Sequence, residues 1–367
     1  MIYRAHDADQ PSRWGVATTC REPTQLVVAF VAHYVALGAS RVHIYLDAPQ
    51  PDLEQLLDRV PQAQVTVCDD AYWRDHVGKA RPRRHQHRQL INAFDAYKTT
   101  DVAWLGHFDA DEFLHADVPV AELLSAQPAE LDYAVINVRE RVFVAEHPQH
   151  MLFEGLFRRP IPTDWEDAGI LFNKGRRLLR RGVLGYPHGK SIFRTSQALV
   201  PGIHTPRRDK ENRAMPLRGW PIHRARLLHF DGLTSLHWAA KLLRAAAAGA
   251  EDFRTPRGRK PEVQRANQIT RMKRYQGNLD KAFAMHQQFK TIPQDDLERL
   301  LILGLVEEYA IAPERDIAAL SLGQDIDLSR AAFDLALTRQ QAQVGDWHGP
   351  WQDILARNAA GDRHAAE

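Results

Sequence analysis

The chemistry of this chain is concentrated in Asp109-Ala110-Asp111-Glu112, which follows the run Trp104-Leu105-Gly106-His107-Phe108. Two aspartates at i and i+2 point to the same side of an extended backbone. Paired carboxylate oxygens on one side suit a hard divalent ion, Mg2+ or Mn2+, completed by water and phosphate oxygens. The competing reading is an acidic loop that caps the next helix. The aromatic frame of Trp104, Phe108 and Phe113, at the end of a core strand, favours the metal.

A second signal is charge. The 367 residues carry 48 Lys plus Arg against 46 Asp plus Glu, a formal net charge of +2. Balanced charge with 44% hydrophobic residues excludes disorder for most of the chain and disfavours a globally basic nucleic-acid binder. The small sum hides an asymmetry. Phe157 to Leu227 holds 16 Lys or Arg against five Asp or Glu, an excess of 11, which leaves −9 elsewhere. Something anionic is expected at that basic middle.

The elements that must position these residues follow from pattern. Gly15–Thr19, Val42–Leu46, Val65–Val67, Val102–Phe108 and Tyr133–Val138 read as strands. Between them, Pro23 to Gly38, Leu53 to Val60 and Arg83 to Tyr97 read as helices. Alternating strands and helices predict an α/β fold with a mostly parallel central sheet. Ligands bind at the carboxyl ends of such strands, which places Thr18, Thr19, Asp47, Asp69, Asp109 and Asp111 on one edge. From Arg139 to His229 the pattern breaks into short pieces rich in Gly, Pro and Arg. From Ser235 to about Ala359 it is mostly helical, including Ser235–Ala250 and Leu297–Tyr309. Length alone suggests about two domains.

Neither a signal peptide nor a membrane span is expected. The N-terminus lacks a basic region before an apolar run, and the longest apolar stretch, Leu26 to Ala39, is shorter than the ~20 residues a span needs. The two cysteines, Cys20 and Cys68, form no C-x-x-C pair. The chain reads as soluble and cytoplasmic, with a Cys20–Cys68 bridge left open.

Several blocks resemble the glycosyltransferase family 2-like group of GT-A enzymes, whose hallmark is a strand running into Asp-x-Asp-Glu-Phe. Thr18-Thr19-Cys20-Arg21-Glu22, then His33-Tyr34-Val35-Ala36-Leu37-Gly38, is similar to that group's opening. His43-Ile44-Tyr45-Leu46-Asp47 resembles its second strand, and Trp104 through Leu114 is the nearest match. Lys190–Arg194, Gly202–Pro206 and Leu228–Phe230 resemble its later blocks. The likeness spans Trp14 to Arg244. It departs at Cys20-Arg21-Glu22, where the group usually has Asn before Glu, and over Arg139–Pro187.

The resemblance implies a GT-A catalytic domain over residues 1–233, with 139–187 as a variable insertion, and a helical region over 234–367. It implies transfer of a sugar from a nucleotide diphosphate-sugar, UDP-type first, to an unknown glycan or other hydroxyl acceptor that the basic middle suggests is anionic. The leaving diphosphate gains negative charge, which an ion on Asp109 and Asp111 would stabilise. In such enzymes a late histidine often completes the metal shell, so His204 or His229 is the expected third ligand. The donor is expected against Thr18, Thr19, Glu22, Asp47, Arg84, His85, Asp109, Ala110, Lys190 and Arg194. The base that takes the acceptor's proton stays open among Glu112, Glu140, Glu146 and Asp231, with Glu140 ahead because it follows the fifth strand. Trp165, Trp220 and Trp238 are candidates to stack on sugars.

Two alternatives remain. A nucleotidyltransferase of similar architecture would want a Gly-rich phosphate loop after the first strand, and Thr19-Cys20-Arg21-Glu22-Pro23 has none. A non-enzymatic polyanion-binding protein would use the basic middle, but no nucleic-acid motif interleaves it. The C-terminal helices read first as a cap on the sheet, and second as a homodimer interface or acceptor lobe.

Overall fold

The computed structural model describes residues 12–145, 147, 149–163, 177–247, 263–275, 278–322 and 326–344. Glu146, Trp165 and the Ala-rich tail lie outside these residues. The chain divides into two compact units. The first comprises Met1–Val138, His188–His229 and Ile311–Asp325, and the second Arg139–Pro187, Phe230–Ala310 and Ile326–Glu367. The segment set aside in the sequence as an insertion thus belongs to the second unit.

In the first unit, strands β1 (Trp14–Cys20), β2 (Arg41–Leu46), β3 (Ala63–Val67) and β4 (Trp104–His107) form a parallel sheet in the order β3-β2-β1-β4. Every residue of β1 is buried, as expected of a strand covered on both faces. Beyond them lie β5 (Glu112–Ala116) and β6 (Tyr133–Val144), the latter contributing only its first half to this unit. Helices α1 (Thr24–Ala36), α2 (Pro51–Leu57) and α3 (His85–Thr99) make the crossovers. A π-helical turn, Tyr72–His76, follows β3, and a short helix, α4 (Val120–Ser125), follows β5.

The second unit begins with the rest of β6 and with β7 (Leu156–Arg158), paired antiparallel. The first unit resumes with β8 (Lys190–Arg194), antiparallel to both β4 and the first half of β6. A hairpin follows, β9 (Leu199–Val200) against β10 (Arg207–Arg208). The long strand β11 (Gly219–His229) then pairs with β5, setting His229 opposite Glu112.

The rest of the second unit is helical, as expected: α5 (Ser235–Ala247), α6 (Val263–Arg274), α7 (Leu279–Lys290) and α8 (Gln294–Ile302), with α10 (Arg330–Val344) at the end. The short α9 (Pro313–Ala319) packs on α1 within the first unit. Two-residue strands β12 (Thr291–Ile292) and β13 (Val306–Glu307) pair with β6 and β7. Among the described residues no helix is long and apolar enough to cross a membrane. Cys20 and Cys68 are both buried free thiols, so they form no bridge.

Two departures from the sequence reading have physical causes. β6 runs past Val138 to Val144 because its charged residues find partners inside the second unit. Arg141 donates to the carbonyls of Leu152, Gly232 and Leu233 and lies over the rings of Phe143 and Phe230. The helix expected through Tyr309 stops at Ile302. Gly304 has φ +61, a left-handed stop that turns the chain into β13.

Candidate active site at the carboxyl edge of the sheet

The site is built in the first unit where β4 ends. Strand β4 stops at His107, and Ala110 and Asp111 form a turn between Asp109 and Glu112. The Asp109 amide donates to Glu112 Oε2 at 2.8 Å, and the Glu112 amide donates to the Asp109 carbonyl at 2.9 Å. This reciprocal pair closes the turn and sends the two aspartates to different partners.

Asp109 is held on both oxygens. Gln89 Nε2 donates to Oδ1 at 2.5 Å, and Lys190 Nζ donates to Oδ2 at 3.1 Å. The same ammonium lies 3.2 Å from Glu112 Oε2, and Lys190 is only 1% exposed. Burial alone would depress the pKa of Lys190, but the carboxylates of Asp109 and Glu112 outweigh it and raise it, so it stays an ammonium. Burial pushes Glu112 up to about 7, opposed by Lys190 and assisted by the Asp109 charge.

Asp111 is buried and faces His229, whose Nε2 is 3.8 Å from Oδ2. That separation exceeds a hydrogen bond. It matches two ligands of one ion, since bonds of about 2.1 Å put neighbouring ligand atoms about 3–4 Å apart. The carboxylate suits Mn2+ or Mg2+, and the imidazole beside it favours Mn2+ of the two.

The backbone of the Asp-x-Asp-Glu-Phe strand is fixed by α1. The Tyr34 hydroxyl donates to the Glu112 carbonyl at 2.9 Å and accepts from the Leu114 amide at 3.2 Å. His33 Nε2 lies 2.7 Å from the Leu114 carbonyl, and its Nδ1 lies 3.8 Å from Asp316. The His-Tyr pair that carries part of the resemblance is therefore a bracket for the motif.

Other expected residues fall in two neighbouring groups and one distant one. Next to Lys190, His107 Nδ1 lies 3.1 Å from the Gly202 carbonyl, and His204 Nδ1 lies 3.0 Å from the Gly189 carbonyl. Burial, then Lys190, lowers His107 to about 4 and His204 to about 3, so both imidazoles are neutral near pH 7. His204 thus sits with Lys190 and Asp109. Gly189 allows this packing: its φ is +71, and a Cβ there would lie 2.0 Å from the Ile136 carbonyl oxygen.

The second group surrounds the ends of β1 and β2. Thr19 Oγ1 accepts from Asn92, while the buried Thr18 hydroxyl has no partner among the described residues. Asp47 accepts a fork from Arg88, with Nε at 2.7 Å and Nη2 at 2.5 Å, and a third contact from Arg81 at 3.1 Å. His85 lies 3.8 Å from the same carboxylate. Burial would raise Asp47, but His85 and Arg88 together hold it well below the usual carboxylate range. Arg84 stands half-buried at the N-terminus of α3, Glu22 is half-buried just past β1, and Ala110 is buried in the turn.

Arg194, expected beside Lys190, lies at the far end of β8. Strand β8 runs antiparallel to β4, so Arg194 pairs with Trp104 at that strand's start. Its guanidinium covers the Trp104 ring at 4.2 Å and donates to the carbonyls of Gln127, Pro128 and Leu131.

The base candidates differ sharply. Glu140, in the second unit, takes Arg158 at 2.5 Å and the amides of Leu184 and Gly185 at 3.0 and 2.7 Å. Burial would raise it, but Lys290 and Arg158 hold it at about 2. A carboxylate this acidic and this fully held is a poor proton acceptor near pH 7. Asp231, also in the second unit, is fully buried beside Arg265 at 3.2 Å and Lys241 at 3.5 Å.

Sequence reasoning gave no role to Arg88, Gln89 or Asn92. His85, Arg88, Gln89 and Asn92 recur at helical spacing, which puts one polar stripe of α3 against the site. That periodicity was a readable signal.

No family model matches the chain, and no curated protein matches it. Among solved structures it is similar to the Pyrobaculum calidifontis mannosyltransferase in complex with GDP-Man and Mn2+, at 12% identity and a TM-score of 0.35, covering 98% of this chain and 90% of that one. It is similar to S. aureus TarS 1–349 at 11% identity and 0.32, covering 82% and 94%. A third is the Mycobacterium tuberculosis glucosyl-3-phosphoglycerate synthase with Mn2+, UDP-glucose and phosphoglyceric acid, at 10% identity and 0.32, covering 65% and 82%.

Proposed function

We propose that this chain is a metal-dependent glycosyltransferase that moves a sugar from a nucleoside diphosphate-sugar to a hydroxyl of a glycan. The observation that carries the reading is the buried Lys190 ammonium bridging Asp109 and Glu112, beside the Asp111–His229 pair. In the reaction the bond from the anomeric carbon to the diphosphate oxygen breaks, a bond to the acceptor oxygen forms, and the acceptor's hydroxyl proton passes to a carboxylate base. Negative charge collects on the leaving diphosphate. Lys190 is the fixed cation for that charge, held in place before substrate arrives.

Asp111 and His229 are the proposed metal ligands. A divalent ion held there would act as a Lewis acid on diphosphate oxygens. Asp109 positions Lys190 and the turn. The unpartnered Thr18 hydroxyl and the Thr19–Asn92 pair face the nucleoside in this reading.

Thermal unfolding with UDP, GDP and ADP, each with and without Mn2+, tests the proposal. A nucleotide that stabilises only with Mn2+ supports it. No stabilisation by any diphosphate in Mn2+ overturns it.

A further inference from the structure

One surface of the first unit is not used by the site. Asp132 gathers the base of a loop. Its Oδ2 accepts from Arg208 Nη2 at 2.7 Å and from the Arg218 amide at 2.8 Å, and Arg208 also donates to the Pro216 carbonyl at 2.7 Å. Inside the loop, Asp209 takes the amide and side chain of Asn212, both at 2.8 Å. The loop is thus closed and ordered from within.

What it presents is basic and aromatic. Arg207, Lys210, Arg213 and Arg218 are all exposed, and none makes an ion pair among the described residues. Trp220, immediately after the loop, is 61% exposed. A tryptophan left this bare is unusual, because its ring would gain from burial. Exposed cations on a loop that leads directly into a bare aromatic ring match a ligand with flat apolar ring faces and acidic groups.

The loop is also connected to the site. The β9–β10 hairpin starts its turn after Val200, passes His204 beside Lys190, and returns through Arg207 to the loop base. The base lies at the Arg194 end of β8, about 13 Å along the strand from Lys190. That distance is several sugar rings. A small acceptor cannot span it, and a chain can.

We propose that the loop at 207–218 and Trp220 dock an acidic polysaccharide, with sugar rings on Trp220 and carboxylates on the arginines, so that the acceptor is a polyanionic glycan chain. This rests on the glycosyltransferase reading and names its acceptor class.

The test is a binding titration of the full chain with oligogalacturonides, with neutral dextran oligosaccharides of equal length, and with oligo-dT. Each is repeated on Trp220→Ala and on Arg213→Ala/Arg218→Ala. Both substitutions are at exposed side chains, and thermal unfolding of each variant with UDP and Mn2+ checks that the donor site persists. The expected result is oligogalacturonide binding that weakens with salt, falls about ten-fold in either variant, and leaves the nucleotide-dependent shift unchanged. Dextran binding as tight as oligogalacturonide overturns the acidic assignment. Tighter binding of oligo-dT overturns it in favour of a nucleic-acid surface. Absent or variant-insensitive oligogalacturonide binding, with the nucleotide shift intact, overturns this inference while leaving the function proposed above standing. Loss of the nucleotide shift in the unmodified chain overturns both.

Discussion

Lys190 and Asp109, 81 residues apart in sequence, meet at 3.1 Å, and the lysine is almost wholly buried in making that contact. A buried ammonium is tolerated when carboxylates surround it, and here two do. The pair fixes the turn that follows β4 before any ligand arrives.

Lys190→Met removes the cation and leaves Glu112 and Asp109 facing one another. Breaking a buried pair from one side costs about 3–5 kcal/mol. Urea unfolding is expected to show a loss of that size, and the Mn2+–UDP thermal shift is expected to vanish. A variant with unchanged midpoint and unchanged shift removes Lys190 from the proposed role.

Asp111 and Asp109 are expected to separate in metal binding. Asp111→Asn should abolish Mn2+ binding followed by electron paramagnetic resonance. Asp109→Asn should retain it, because Gln89 and Lys190 already engage that carboxylate. Equal loss in both variants would return Asp109 to the metal shell.

Tyr34→Phe removes one hydroxyl that serves both the Glu112 carbonyl and the Leu114 amide. Leaving buried backbone groups unpaired costs about 1–3 kcal/mol each. Thermal unfolding is expected to shift down accordingly, with the nucleotide-binding amplitude reduced because the motif strand is no longer bracketed. A midpoint equal to that of the parent chain counts against the bracket.

Acid sensitivity is expected in two windows. Burial lowers His43 and His107 to about 4, so the folded form resists protonation, and stability falls as pH drops from about 6.5 toward 4. Asp47 is depressed by His85 and Arg88 against its burial, so its contribution is complete above its unfolded value near 4 and is lost as pH falls below that. Urea midpoints against pH check both. His43→Asn should flatten the upper window, and Arg88→Ala should flatten the lower one.

Much of the first unit was legible. The strands ending at Cys20, Leu46 and His107 each carry buried β-formers, and their parallel pairing puts Thr18, Asp47 and Asp109 on one edge. The Asp-x-Asp-Glu motif was visible, but its geometry was not. Whether i and i+2 share a side depends on the turn that Glu112 closes, and that turn is set by Lys190, far away in sequence. β6 was cut short for the same reason: Arg139, Glu140 and Arg141 look like a strand's end until Arg158 and the carbonyls of Gly232 and Leu233 are beside them. Local pattern records propensity, while a buried charge is legible only with its partner. The basic excess between Phe157 and Leu227 was real, yet several of its cations, including Arg158, Lys190, Arg194 and Arg208, are spent on internal acceptors.

The bracket on the motif strand has one more effect. Strand β5 pairs with β11 on one side and with no other strand among the described residues. An open edge of that kind is a template on which another extended chain can assemble. Here the phenol and imidazole of Tyr34 and His33 occupy the edge in place of a neighbouring strand, taking the carbonyls of Glu112 and Leu114 and the amide of Leu114. The two side chains thereby shield the molecule from strand-to-strand self-association along the strand that follows the Asp109–Glu112 turn.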